Sequence, residues 1–148
     1  MIRLSRLTDY AVVILAAMAS KEQSLLSASN LSDITAIPEP TVSKVLKILA
    51  KSGLLESVRG AHGGYSITAS AENIRIHDII TAIEGPVSLT SCVTGSEESC
   101  MIESQCQLHG RWNIVNSAIQ EALDDITLAD MISENESLSM SRQVGSVQ

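Results

Sequence analysis

The chain has 148 residues, of which 45% are hydrophobic, so it is long and apolar enough to form one domain with its own core. No apolar run approaches the roughly 20 residues of a membrane-spanning helix, and no cleavage-type sequence follows the apolar stretch at 10–19. We therefore expect a cytoplasmic protein with no membrane partner. The net charge of −7 is uneven, because residues 1–66 hold seven Lys and Arg against five Asp and Glu, whereas residues 67–148 hold three against twelve. Since DNA binding depends on a local basic patch, the total charge does not exclude it.

Three helices are predicted in the first 53 residues. Thr8 can cap the first, on which apolar residues recur at helical spacing at Tyr10, Val13, Ile14 and Ala17. The second begins at Ser27, includes Leu31 and Ile34, and ends before Pro38, which disfavours helical backbone at the preceding residue. The third carries Pro40 in its first turn and ends at Gly53.

The third helix has one apolar face and one basic face. The apolar face comprises Val42, Val45, Leu46 and Leu49. The basic face comprises Lys44, Lys47 and Lys51. A lysine stripe alone is more often a solvent-exposed surface. An α-helix nevertheless fits the major groove of DNA, where its first turns reach base edges and lysines bind phosphate.

A β-hairpin is predicted directly after the third helix. Two strand-like segments, 54–58 and 65–68, flank a turn in which Gly60, Gly63 and Gly64 permit positive φ and close backbone approach. This thin basic tip suits a minor groove. Three helices followed by a hairpin form a winged helix-turn-helix, and this order favours DNA binding by the basic face. The predicted DNA-contacting residues are Thr41, Ser43, Lys44, Lys47, Lys51, Arg59, Gly60, His62 and Gly63.

A fourth helix and then a polar loop are predicted beyond the hairpin. The helix lies within 74–84, bears Ile79, Ile80 and Ile83, and is closed by Gly85 and Pro86. The loop at 87–109 contains all three cysteines of the chain and one of its histidines. These four residues are Cys92, Cys100, Cys106 and His109.

Thiolates and an imidazole on one polar loop are ligands for a soft metal or an iron-sulfur cluster. An odd number of cysteines in a reducing compartment favours metal binding or redox sensing over disulfides. Three Cys and one His also satisfy tetrahedral zinc, but the gaps here lack the C-x2-4-C knuckle of most structural zinc sites, which favours a cluster. A thiol redox enzyme with a small-molecule substrate is disfavoured, because neither a Cys-x-x-Cys pair nor a set of nucleophile, base and orienting group is visible.

The segment after the loop predicts a long helix that needs a partner. Its apolar stripe is too long to be stable alone in water and comprises Trp112, Val115, Ile119, Ala122 and Leu123. A last helical turn is expected at 127–132. Residues 133–148 are polar and aperiodic, so we expect a disordered tail there.

Several segments, in this order, resemble the Rrf2 family of winged-helix iron-sulfur regulators, which includes IscR and NsrR. They are Leu7 to Ala11, Ser57 to Tyr65, Ile74 to Ile80, the three cysteines, Leu108 with His109, Trp112, and Ile126 to Asp130. The resemblance covers nearly the whole chain and depends on order and spacing. It implies a mainly α fold, with a winged helix-turn-helix, a small hairpin wing and a long C-terminal dimerisation helix.

The resemblance also implies roles for individual residues. Cys92, Cys100 and Cys106 would bind a cluster, with 2Fe-2S favoured and 4Fe-4S as the alternative. His109 occupies the position of the fourth ligand in IscR-like members. Asp9 matches the position from which NsrR-like members supply a carboxylate across the dimer. Family members are homodimers on near-palindromic double-stranded DNA operators. The expected dimer contacts here are Trp112, Val115, Ile119 and Leu123.

The expected organisation is therefore a DNA-binding domain at 1–85, a cluster-binding loop at 86–109, a dimerisation helix and final turn at 110–132, and a tail at 133–148. The function expected from this organisation is that of a cluster-sensing repressor and not of an enzyme, and the resemblance to the family implies iron-sulfur assembly genes of the Suf type as its targets. Two alternatives stay open: a nitric-oxide sensor that uses Asp9, and a DNA-binding protein with structural zinc.

Overall fold

The computed structural model describes residues 2–21 and 24–133, and within these ranges it is mainly helical with one two-stranded antiparallel hairpin. The elements are α1 (Arg6–Ser20), α2 (Ala28–Thr35), α3 (Glu39–Lys51), β1 (Leu55–Val58), β2 (Gly64–Ile67), α4 (Ile76–Glu84), α5 (Trp112–Asp125) and α6 (Leu128–Ile132). This order confirms the predicted fold class. Apart from residue 133, the segment expected to be disordered lies outside the described residues. None of the described helices is both long enough and apolar enough to cross a membrane.

The start of α1 differs from the sequence prediction, which made Thr8 the cap. The helix begins at Arg6, and the cap is Ser5, whose Oγ accepts a hydrogen bond from the backbone N–H of Thr8 at 3.2 Å. Thr8 is fully buried, and its hydroxyl donates to the Glu84 carboxylate at the end of α4. The prediction was wrong because two cap-type residues lie three positions apart, and only the tertiary contact with α4 decides which one is inside the helix.

The helix-turn-helix follows its local signals closely. Ser27 caps α2 through a reciprocal pair of hydrogen bonds with Asn30. Pro40 lies in the first turn of α3, and Gly53 follows that helix with φ +88°, as predicted. Ala36 supplies the turn between α2 and α3 with a left-handed φ of +62°.

The core is aliphatic and is centred on α1, which packs against α2, α3, α4 and α6. Its buried members on the first three helices are Ala11, Ile14, Leu15, Met18, Leu31, Val42, Val45, Leu46 and Leu49. The predicted apolar face of α3 is therefore buried completely. Two residues expected to face the core do not, because Val13 is 40% exposed and Ile34 is 47% exposed.

The wing is tied to the chain segment before α2. Leu26 and Tyr65 exchange two backbone hydrogen bonds, of 3.0 Å and 2.7 Å. A Cβ on Gly64 would lie 2.7 Å from the carbonyl oxygen of Leu26, so only glycine permits this approach. The hairpin is thus attached to this segment through the first two residues of β2, next to the turn, while residues 59–63 of the tip project beyond the contact.

The chain returns to the helix-turn-helix and wing after α5. Ile76 N–H donates to the Ile126 carbonyl at 2.9 Å, and Leu128 N–H donates to the Ile74 carbonyl at 2.8 Å. Leu128 is fully buried in the core. The loop and α5 therefore form one excursion that leaves the domain at the end of α4 and rejoins it at α6.

The buried and exposed isoleucines of the helices provide a test of this core. Ile14→Ala removes a fully buried side chain, so we expect it to lower the free energy of unfolding by about 2–5 kcal/mol. Ile34→Ala, at a 47% exposed site, should change it by less than about 0.5 kcal/mol. Urea unfolding followed by circular dichroism measures both. Equal losses in the two variants would contradict the described core.

Candidate functional site

The basic face of α3 is open to solvent. Lys44, Lys47 and Lys51 are exposed, whereas Thr41 and Ser43 in the first turns are half-buried. The opposite face of the helix is buried in the core, so this face alone is available for a ligand. This arrangement suits a helix that enters a major groove, with short side chains near the bases and lysines towards phosphates.

The wing tip lies beyond β1 and exposes its polar residues. Arg59, Gly60 and His62 are exposed, and Gly63 is half-buried. Gly63 is required at its position, because a Cβ there would lie 2.1 Å from the Val58 carbonyl oxygen. The structure thus places every residue of the predicted DNA-contacting set on α3 or on the tip of the adjoining hairpin.

The first half of the cysteine loop is held on α5 by amide side chains. Asn116 Nδ2 donates to the Val87 carbonyl at 2.9 Å, and its Oδ1 accepts from the Leu89 N–H at 3.0 Å. Asn113 Oδ1 accepts from the Thr94 N–H at 2.8 Å. These hydrogen bonds fix the backbone on both sides of Cys92.

Cys92 has donors directed at its sulfur. The Thr90 hydroxyl lies 3.3 Å from Cys92 Sγ. Because hydrogen bonds favour the thiolate, Thr90 first and then Gly110 lower the pKa of Cys92 below its ordinary value of 9.0. The Glu103 carboxylate acts in the opposite direction, but its effect is smaller. A lowered thiol pKa favours metal ligation, which requires the thiolate.

The second half of the loop is organised by local turns. Glu103 N–H donates to the Cys100 carbonyl, and His109 N–H donates to the Cys106 carbonyl, each at 3.2 Å. Between the two cysteines, Met101 is fully exposed. His109 Nε2 lies 3.6 Å from Glu103 Oε1.

The four predicted ligands share one loop but are not gathered at one point. Cys92, Glu103 and His109 line one hollow, and Cys100 lines a second one that shares Glu103 and His109. Cys106 lines neither of them. Within residues 2–21 and 24–133, no three His, Cys, Asp or Glu side chains are arranged to hold a metal ion. The ligand set therefore remains a prediction, whose donor chemistry fits a cluster once Cys100 and Cys106 approach the other two residues.

Asp9, the alternative fourth ligand, lies elsewhere in its own chain. It is exposed on α1 and lines a hollow with Ile80 of α4 and Met131 of α6. No residue of the cysteine loop lines this hollow. A role for Asp9 at the cluster would therefore need the loop of a second chain.

The predicted dimer stripe is partly open on α5. Trp112 is 46% exposed and Val115 is 43% exposed, whereas Ile119 is half-buried. Leu123 packs against the core of its own chain. The exposed part of the stripe is thus its N-terminal part, which adjoins the cysteine loop.

Sequence analysis missed Asn113, Asn116 and Gln120, which lie on one face of α5. Gln120 Nε2 lies 3.4 Å from the Val87 carbonyl, so it adds to the contacts of Asn116. The available signal was the i, i+3, i+7 spacing of three amides beside an apolar stripe. Such a stripe is usually exposed to water, whereas Asn116 is only 4% exposed.

The chain is similar to known proteins over nearly its whole length. Residues 4–134 match the Rrf2 family model, described as an iron-dependent transcriptional regulator. CymR, the global cysteine regulator of B. subtilis, is similar at 26% identity and a TM-score of 0.68, over 92% of this chain and 100% of that chain. IscR of T. potens is similar at 27% identity and a TM-score of 0.61, over 99% and 93%. The oxidized form of Staphylococcus aureus CymR is similar at 25% identity and a TM-score of 0.65, over 92% and 100%.

The environment of Cys92 gives a prediction for the metal-free protein. Thr90→Val removes the donor with the largest effect on its pKa, so the pH midpoint for alkylation of Cys92 should rise. Iodoacetamide labelling over a pH series, with mass spectrometry of the Cys92 peptide, measures this midpoint. Thr94→Val is the matched control, because the Thr94 hydroxyl makes no hydrogen bond among the described residues. An unchanged midpoint in Thr90→Val would contradict the contact.

Proposed function

Since this chain belongs to the Rrf2 family of transcription regulators, which are DNA-binding proteins and not enzymes, we propose that it is a cytoplasmic repressor that senses an iron-sulfur cluster. The observation that carries the proposal is the position of the cysteines. All three lie on one polar loop that begins at the end of the DNA-binding domain and is hydrogen-bonded to α5. Similarity to IscR of T. potens supports the same function.

DNA binding is proposed for α3 and the wing. Thr41 and Ser43 reach base edges in the major groove, while Lys44, Lys47 and Lys51 neutralise phosphates. The wing tip enters the adjacent minor groove through Arg59, Gly60, His62 and Gly63. Rrf2 regulators typically act as dimers, and the two-fold symmetry of a homodimer requires a near-palindromic operator.

Dimerisation is proposed for the apolar stripe of α5, formed by exposed Trp112 and Val115 and half-buried Ile119, with Leu123 at its end. An exposed tryptophan beside an exposed valine leaves apolar surface that a second copy of the helix would bury. The stripe begins three residues after His109. A change in the loop at His109 is therefore close to the surface on which two chains meet.

Cluster binding is proposed for Cys92, Cys100, Cys106 and His109. We propose that the cluster is 2Fe-2S. Whether the site holds it would depend on the supply of iron and on the presence of oxidants. Cys92 and His109 already line the same hollow, and the hydrogen bonds to Cys92 favour its thiolate form. For all four residues to hold a cluster, Cys100 and Cys106 would have to move, each with its local turn, towards Cys92 and His109. This movement would fix the second half of the loop next to α5.

Asp9 and zinc define the alternatives. A fourth ligand from Asp9 of a second chain would make the protein a nitric-oxide sensor. Tetrahedral zinc would make the loop structural. The similarity to CymR adds a cysteine regulator as a second candidate function. Genes of Suf-type iron-sulfur assembly are the targets that we propose for the cluster-sensing form.

The lysine face of α3 gives a prediction for DNA binding. Lys47→Ala should weaken operator binding several-fold, and it should reduce the slope of log K against log salt by about 2, since a dimer loses two phosphate contacts. Lys21→Ala is the matched control, because this lysine is also exposed but lies at the end of α1, outside α3 and the wing. Fluorescence anisotropy over a salt series measures both quantities. Equal slopes in the two variants would exclude Lys47 from the interface.

Single substitutions decide the ligand set. After anaerobic reconstitution, Cys92→Ser, Cys100→Ser and Cys106→Ser should each lose visible absorption and most of the bound iron and sulfide. His109→Ala should alter the spectrum and Asp9→Ala should not. For the nitric-oxide sensor, Asp9→Ala should alter the spectrum and His109→Ala should not. His62→Ala, on the wing, is the control that should keep wild-type iron and sulfide. A colourless wild-type protein with one zinc per chain would contradict the proposal.

A further inference from the structure

We propose that Asn113 and Asn116 are positioning residues that hold the loop segment 87–94 on α5, so that Cys92 is presented beside His109 before a cluster binds. We call these two side chains and their hydrogen bonds to the loop backbone the amide latch. This inference rests on the proposed function, because it assigns to the latch the positioning of Cys92, one of the proposed cluster ligands.

Asn116 is the buried member of the latch. Its side chain is 4% exposed, and both polar atoms of its amide are used, by the Val87 carbonyl and the Leu89 N–H. Burying an amide is unfavourable unless it is hydrogen-bonded, so this side chain specifies one position of the loop. In the sequence, Asn116 lies 27 positions after Leu89 and 29 positions after Val87.

Asn113 completes the latch on the other side of Cys92. It accepts from the Thr94 N–H at 2.8 Å, two residues after the cysteine, while Asn116 binds Leu89, three residues before it. Val93, beside the cysteine, is only 4% exposed and anchors the segment further. Cys92 is thus held between two fixed backbone points.

The rest of the loop lacks this attachment. Among the described residues, no hydrogen bond joins segment 95–108 to α5, and the backbone hydrogen bonds of this segment join residues three positions apart, as in local turns. Met101 is 100% exposed, Ile102 64% and Leu108 62%, as expected of a segment that packs against little of its own chain. Cys100 and Cys106 lie in this free segment. The loop is therefore divided into a fixed half, residues 87–94 with Cys92, and a movable half, residues 95–108 with Cys100 and Cys106.

The latch also connects the fixed half to the dimer stripe. Asn113, Asn116 and Gln120 follow Trp112, Val115 and Ile119 by one residue each, so the two faces lie about 100° apart on one helix. If Cys100 and Cys106 move towards Cys92 to bind a cluster, the hydrogen bonds of the latch transmit the displacement of the loop to α5. The latch residues thus position the loop relative to the surface on which two chains meet.

Hydrogen exchange of the full-length, metal-free protein tests the latch directly. The backbone N–H groups of Leu89 and Thr94 are the donors to the latch, so NMR should show both protected in the wild-type protein. Asn116→Ala should speed exchange at Leu89 at least tenfold, and Asn113→Ala should do the same at Thr94. Asn73→Ala, at an exposed site near α4, is the matched control and should change neither. Wild-type amides that exchange as fast as those of segment 95–108 would overturn the proposal.

Iron and sulfide uptake under argon then tests the consequence for the ligand set. Both latch variants should take up cluster more slowly than the wild type and lose it at least several-fold faster to a chelator, while exchange in α1 and α3 stays as in the wild type. If Asn116→Ala fails to fold, Asn113→Ala and Asn116→Ser carry the same test. A wild-type protein that binds no iron refutes the proposed function but leaves the exchange result standing. Latch variants with faster exchange and unchanged cluster lifetime refute the positioning role alone.

Discussion

Two backbone hydrogen bonds join the chain at the start of α4 to the chain at the start of α6, and the position of the cysteine loop and α5 on the rest of the molecule depends on them. One joins Ile76 to Ile126 and the other joins Leu128 to Ile74. The side chain of Leu128 is also completely buried in the core. Both ends of the excursion are therefore attached to the winged helix, and α5 packs against α4. Asp124 at the end of α5 strengthens this junction, since its carboxylate lies 2.9 Å from His77 Nδ1.

This closure decides what the cysteine loop can do. Serines, glycines and acidic residues give the loop little apolar surface, so it cannot form a core of its own. Its position is instead set by polar contacts with α5, where Asn116 replaces the apolar residue that a helix would ordinarily bury against a loop. A helix that presents amides to a loop and apolar side chains to solvent is suited to connect a ligand site with a second chain.

The winged helix could be predicted from sequence because its signals are local. Pro40 and Gly53 mark the two ends of α3. Close backbone contacts require Gly63 and Gly64 in the wing, and a positive φ of 116° favours glycine at position 60. The choice of Ser5 over Thr8 as the cap could not be predicted, because it depends on Glu84, which is 76 residues from Thr8 in the sequence. The exposure of Val13 and Ile34 likewise depends on which helices pack together rather than on periodicity. In the site, the cysteines and His109 were visible by residue type, whereas the latch was not, since an amide is recognised as buried only when its distant partners are known.

The central claim is that the three thiols and one further ligand in each chain bind an iron-sulfur cluster in a DNA-binding dimer. Native mass spectrometry of anaerobically isolated protein tests it most directly, because it weighs subunits and inorganic content together. We predict a dimer whose mass exceeds that of two chains by one cluster of two irons and two sulfides per chain. A dimer carrying only zinc, or two chains with no inorganic mass, would contradict the account.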